Sequence, residues 1–389
     1  MSTAIATMGE KRAMNNYGLT SVYDFLGDLI VYRNLTPQDR RLPTLDDIRT
    51  EVGLGEGVIP RKSEPEYARA VAHLLKLARA LDAPGATIER LAYLGDTHLN
   101  DGTAFANICQ AGGWSGLAFI GAEKGGPEEM VFIKQEEGTL CLSNRWAALT
   151  RFEDICRDWR FPLDERTAAI IDLDKTALGA RGRNDRVIDQ ARVEAVRRTV
   201  DDLLGEAFDR EAFQATYDRL NQPEFHPFTT DNQDYLAYIC LILGSGLYRL
   251  ETLIKDIQSG RLAGFKQFIG EVDGRAGDLP GNLRDIHASV YGYVQAGDPT
   301  PFKAFRYNEY RTTTERMGAL ADDAPADDLL KQEIVITQEV RAAALAWREK
   351  GVLLFALSDK PDEASVPPEE LAALGNQPIH RTATHAVGE

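Results

Sequence analysis

"TAAIIDLDKTALG", Thr167–Gly179, decides the fold. An apolar run reads as a buried strand and stops on Asp172, with Asp174 two positions later and Thr176 two after that. In an open parallel sheet the ligand crevice lies beyond the carboxyl ends of the strands. Acids placed there are candidates for chemistry, and their bland reading is a strand end with solvated carboxylates.

Upstream, "RLAYLGDTHLNDGTAFANICQAGGWSGLAFIG" (Arg90–Gly121) has the rhythm of a βαβ unit. A short strand leads to a loop opening on Gly95 and Asp96, then a helix through Ile108 and a strand to Ile120. Before it, "KSEPEYARAVAHLLKLARAL" (Lys62–Leu81) predicts an amphipathic helix, with Ser63 and Glu66 at capping-box spacing. "MVFIKQEEGTLCLSN" predicts a hairpin near Gly138, and "RWAALTRFEDICRDWRF" a helix leading into the Thr167 strand. Beyond Asp185 the pattern becomes helical, and "GVLLFALSDK" (Gly351–Lys360) returns to a buried strand ending on Ser358. The organisation expected is a doubly wound, Rossmann-like α/β core of residues 1–179 and 349–389, with a mostly helical domain of residues 180–348 inserted between its strands.

Composition bounds the partners. The 389 residues carry a net charge of -16, which argues against nucleic acid or an anionic membrane as main partner, since both demand a basic face. Hydrophobic residues at 43% and charged residues at 27% are those of an ordinary globular chain. Four scattered cysteines without a C-x-x-C pair suggest neither zinc nor disulfides. The N-terminus lacks the apolar stretch of a signal peptide, and no run approaches the roughly 18 apolar residues of a membrane helix. A cytoplasmic location is the expectation, and the oligomeric state is left open.

Asp172, Asp174, Asp96, Asp101 and Ser358 all fall at predicted strand ends or in the loops after them. Clustered carboxylates repel, and magnesium, a hard ion taking oxygen ligands, matches them. One carboxylate can attack phosphorus while a second protonates the departing oxygen, with hydroxyls and a lysine holding the phosphoryl oxygens.

"IIDLDKT" resembles the D-x-D-x-T signature of the haloacid dehalogenase-like phosphohydrolases, and "LGDTHLND" is similar to that family's late acidic motif. The strand ending in Ser358 resembles its serine or threonine motif, and Lys62, with Arg61 as the alternative, its basic motif. The resemblance covers roughly residues 58 to 178 and 350 to 365. It implies Asp172 as nucleophile and Asp174 as general acid and base. It also implies Mg2+ held by Asp172, Asp96, the backbone carbonyl of Asp174 and Asp101, and phosphoryl contacts from Thr176, Ser358 and Lys62. The substrate implied is a small phosphorylated metabolite, selected by the helical insertion acting as a cap.

The motif order departs from the family, because lysine and acidic loop precede the nucleophile, and about thirty residues follow Ser358. A circular permutation accounts for both. It requires the strands ending at Leu94, Ile171 and Leu357 to share one parallel sheet, with Asp96 within roughly 4 to 6 Å of Asp172. Alternatives are a dehalogenase, in which Asp174 is idle, and a non-catalytic binding or scaffold protein on the same fold. His98 reads as a solvated loop residue, His380 and His385 as tail residues, and Lys303, Arg306 and Arg311 as a solvated helix face beside an aromatic core stripe.

Overall fold

The computed structural model describes residues 13–230 and 232–389. The chain divides into two compact units: one is the chain up to Asp189 with Thr314–Ser365 and Gln377–Glu389, the other Gln190–Thr313 with Val366–Asn376.

The first unit is α/β. Its strands in chain order are β1 (Asn15–Thr20), β2 (Ile30–Val31), β3 (Arg90–Gly95), β4 (Ser115–Gly121), β5 (Met130–Lys134), β6 (Gly138–Ser143), β7 (Thr167–Asp172), β8 (Ile336–Thr337), β9 (Leu353–Leu357) and β10 (Thr384–Gly388). Seven form one sheet in the order β2-β9-β7-β3-β4-β6-β5, parallel except for the β5–β6 hairpin. Leu94 is opposite Ile171, and Asp172 opposite Leu357. The carboxyl ends of β3, β7 and β9 therefore share one edge, as the motif order requires.

Alternate residues along β4 explain the layering. Ala118 joins a core with Leu74, Leu75 and Phe105 from the helices Pro65–Asp82 and Asn100–Gly112. Phe119 turns the other way and meets Trp146 and Phe152, and Phe152 in turn meets Trp347 of the helix Gln338–Glu349. Side chains alternate across a strand, so burial on both faces demands apolar residues at both parities. The β7 strand is accordingly buried at all six positions.

Several local expectations need correction. The helix starts at Pro65 with Glu64 at its N-cap and no side-chain cap, so Ser63 and Glu66 form no capping box. A proline's fixed φ suits that first helical position. The segment after Arg145 opens as a 3-10 turn, Trp146–Arg151, before its α-helix Phe152–Asp158.

The helical unit is also not residues 180–348 but Gln190–Thr313 together with Val366–Asn376, the latter expected in the α/β core. Gly179 donates its N–H to the Val335 carbonyl, and Asn184 bonds the Leu330 and Glu333 carbonyls. These bonds tie both flanks to the α/β unit. β8 then pairs with β10 in a second sheet, ordered β1-β10-β8. A two-residue strand inside helical sequence carries too short a pattern to read.

Inside the helical unit the helix Lys303–Thr314 has Phe305 and Tyr310 in the core. Arg306 is buried as well, contrary to the solvated face expected, because it pairs with Asp234 and Glu309. His380 and His385 are buried rather than tail residues. His380 bonds the Tyr32 hydroxyl and Asp28, and His385 bonds Glu333. No helix among the described residues is long and apolar enough to cross a membrane, and all four cysteines are buried and free.

Candidate active site at the carboxyl edge of the sheet

β7 ends on Asp172 and the chain folds immediately into a tight turn. The Ala177 N–H bonds the Asp172 carbonyl at 3.1 Å, and the Leu178 N–H bonds that of Leu173 at 2.9 Å. Lys175 adopts a left-handed φ of 65° within this turn. The turn keeps Asp172 and Thr176 buried and leaves Asp174 half-buried. Ser358 follows β9 next door, its N–H on the Val31 carbonyl and its Oγ accepting the Lys360 N–H at 3.1 Å.

Lys62 precedes the Pro65–Asp82 helix and is 2% exposed. Its Nζ donates to Asp172 Oδ1 at 2.5 Å and Asp101 Oδ1 at 2.7 Å. Arg61 is exposed, so the basic residue of this site is Lys62. Asp101 lies in the first turn of the Asn100–Gly112 helix, and its Oδ2 accepts the N–H groups of Asp96 and Thr97 and the Thr97 hydroxyl, at 3.0, 2.8 and 2.8 Å. The Tyr93 hydroxyl donates to Asp101 Oδ1 at 3.1 Å. Both oxygens of Asp101 are thus engaged; it orients Lys62 and the Asp96 loop.

Asp96, Asp101 and Asp172 each offer an oxygen within 4.8 Å of the others. Asp174's carboxylate is outside this group, two residues along the turn. In the turn itself, Asp172 Oδ2 and Thr176 Oγ1 are two of the buried atoms that have no hydrogen-bond partner among the described residues. A buried oxygen without a donor is costly. Hard oxygen donors left open in this way fit a divalent cation. Asp172 and Asp96 are the side chains able to hold it, since Asp101 is already saturated.

Electrostatics agree with that geometry. Burial raises the pKa of Asp172 well above the ordinary carboxylate range, and Asp101 and Asp96 add to the rise against the opposing pull of Lys62. Burial and Asp101 likewise push Asp96 up to about 7, against Arg181. Burial works against the charged form of Asp101, but Lys62 and the Thr97 N–H outweigh it and hold this carboxyl well below its usual value. Lys62 is disfavoured by burial, yet Asp101 and Asp172 outweigh that and raise its pKa well above normal. The unmodified cluster is therefore short of positive charge at Asp172 and Asp96.

The carboxyl edge thus brings together Asp172, Asp96, Asp101 and Lys62, with Thr176 in the turn and Ser358 on the adjacent strand end. His98 is exposed, as the sequence indicates. Sequence reasoning missed Tyr93, Thr97 and Arg181. Arg181 lies in the loop after the turn and donates from Nε to Asp96 Oδ2. Tyr93 was hidden as one more apolar strand position, and nothing in the spacing of "GARGRND" pointed Arg181 at Asp96.

No family model matches the chain, and no curated protein or solved structure matches it.

Proposed function

We propose that the protein is a Mg2+-dependent phosphohydrolase that cleaves a small phosphomonoester through an aspartyl phosphate on Asp172. The observation that carries this reading is the unpartnered, buried Asp172 Oδ2. The other oxygen of the same carboxylate is fixed by Lys62, and Asp96 sits beside it. A nucleophile needs one oriented oxygen and one available oxygen, and this carboxylate has both.

Mg2+ held by Asp172 and Asp96, with the Asp174 backbone carbonyl, would supply charge neutralisation for an incoming phosphate. The remaining roles fall to the chain itself. Lys62 pulls Asp172 toward its ionised form against burial and, with the Thr176 and Ser358 hydroxyls, receives phosphoryl oxygens. Asp172 attacks phosphorus as the ester oxygen leaves. Asp174, half-buried two residues on, gives that oxygen a proton. The resulting carboxylate then takes a proton from the water that attacks the aspartyl phosphate, which returns Asp172 and releases inorganic phosphate. A halide leaving group needs no proton, so the acid at position 174 favours esters over a dehalogenase.

This reading corresponds to a haloacid dehalogenase-like core in permuted order, with residues of the helical unit in the role of cap. The adjacency of β9, β7 and β3 supports it, because serine, nucleophile and acidic motifs then meet at one edge. The test is release of phosphate from p-nitrophenyl phosphate and a panel of phosphorylated metabolites. Turnover with Mg2+ that stops on chelation is expected. A protein that hydrolyses none of them with Mg2+ would instead fit a binding role.

A further inference from the structure

We propose that Arg181 is a second built-in cation of this site, beside Lys62. It neutralises Asp96 while no metal ion does, and it turns its guanidinium onto the substrate's phosphoryl oxygens once the ion takes Asp96. This rests on the metal-dependent phosphohydrolase reading above.

The backbone of Arg181 is fixed from three sides. Its N–H bonds the Lys175 carbonyl at 2.8 Å, and its own carbonyl accepts the Glu123 N–H at 2.8 Å and the buried Trp146 indole N–H at 3.1 Å. Gly182 follows with φ +76°, where a Cβ would stand 2.0 Å from the Glu123 carbonyl oxygen, so the loop takes only glycine there. Arg183 is then buried between Glu123 and Glu339. Such a loop presents position 181 to Asp96 at a set place.

The side chain behaves differently from its backbone. It is 37% exposed while Asp96 is 6% exposed, and among the described residues only Nε has a partner. The two terminal nitrogens form an open fork, and a fork of this kind matches phosphoryl oxygens in pairs.

Charge explains why the pair forms. Three carboxylates share the site with one lysine, and Arg181 reduces the imbalance at Asp96. In this proposal the metal ion takes the Asp96 oxygen that Arg181 holds, so guanidinium and ion compete for it. An ordinary surface ion pair would have no such consequence, which makes the idea measurable.

The experiment is calorimetric titration of Mg2+ into substrate-free protein, then of tungstate, a phosphate mimic, into Mg2+-loaded protein. Wild type is compared with Arg181→Gln and Arg181→Lys, with melting temperatures recorded. Arg181→Gln should bind Mg2+ at least about fivefold more tightly, as the loss of a competitor requires, and bind tungstate about tenfold or more weakly. Arg181→Lys, which keeps the charge without the fork, should bind Mg2+ within about twofold of wild type and tungstate several-fold more weakly. This second variant decides the matter if the first does not fold. Equal or weaker Mg2+ binding by Arg181→Gln, or unchanged tungstate binding by either variant, overturns the inference while a wild type that binds Mg2+ and releases phosphate leaves the functional reading intact. A wild type that binds no Mg2+ overturns both.

Discussion

In the helical unit Asp234, Arg306 and Glu309 lie buried together, as Lys62, Asp101 and Asp172 do in the α/β unit. Arg306 gives Nε and Nη2 to Asp234 Oδ2 and Nη1 to Glu309 Oε2. The second Asp234 oxygen accepts the Phe302 N–H at 3.0 Å, and Glu309 Oε1 accepts Arg192 Nε at 3.1 Å. No side-chain atom of that triad is left without a bond. The cluster at the sheet edge keeps Asp172 Oδ2 open. Burial and ion pairing alone therefore do not set the two clusters apart; the unmet oxygen of Asp172 does. Under the proposed function the saturated triad serves packing and the unsaturated one chemistry.

Asp172→Asn against Asp234→Ala separates the two. Asp172→Asn should reduce phosphate release by about 10³-fold or more while leaving the melting temperature unchanged or higher, since burial disfavours the charge it removes. Asp234→Ala should cost about 3 to 5 kcal/mol of stability, the range for stripping one partner from a buried pair, with kcat/KM of the folded protein near wild type. The reverse pattern would break the distinction, and denaturant melts with a phosphatase assay read both.

The same contrast shows what the sequence could disclose. Asp172, Asp96 and Lys62 were recoverable because each follows or precedes an element with a strong pattern: an apolar strand for the acids, an amphipathic helix for the lysine. The sheet edge then follows from parallel strands ending on polar residues. Arg306 was misjudged because helix periodicity locates a face but not the acid 72 residues away that makes burial of an arginine tolerable. His380 and His385 failed for the same reason, their partners Asp28 and Glu333 being distant in sequence. Strands of two residues, β2 and β8, exist only through their neighbours.

Lys62→Met should fall between the clusters in kind. It removes the donor to Asp172 and Asp101 together, so phosphate release should drop by about 10²- to 10³-fold. The melting temperature should fall too, since Asp101 loses its buried counter-ion. A variant with normal stability would show that Lys62 does not compensate the acids.

Ligand linkage gives a moderate effect with a clear sign. Mg2+ at about 100 times its dissociation constant should add about 2.7 kcal/mol to the unfolding free energy of wild type. It should do the same for Asp234→Ala, and far less for Asp172→Asn. Equal stabilisation of all three in thermal melts would place the ion elsewhere.

The smallest effect concerns a motif that both units contain, a Tyr–His–Asp chain whose tyrosine and histidine are buried. It is Tyr32–His380–Asp28 in the α/β unit and Tyr238–His287–Asp273 in the helical one. Burial lowers the pKa of His380 below its ordinary value, outweighing the bond to Asp28, with Arg381 adding to the fall. Unfolded, the group takes up its proton near pH 6.5. Its contribution to stability is thus present in full above that value and lost as pH falls through the folded pKa. On going from pH 7.5 to 5.5, wild type should lose more stability than His380→Gln. Parallel curves for the two proteins would remove His380 from the pH response.

A covalent intermediate on Asp172 is the most direct measure of its role as nucleophile. Wild type is mixed with a phosphomonoester it turns over in Mg2+, quenched in acid, digested and mapped by mass spectrometry. A hydroxylamine-labile phosphoryl group is expected on the peptide containing Asp172 and is expected to be absent from Asp172→Asn. Turnover with the phosphoryl group on another residue, or undiminished turnover by Asp172→Asn, would contradict that role.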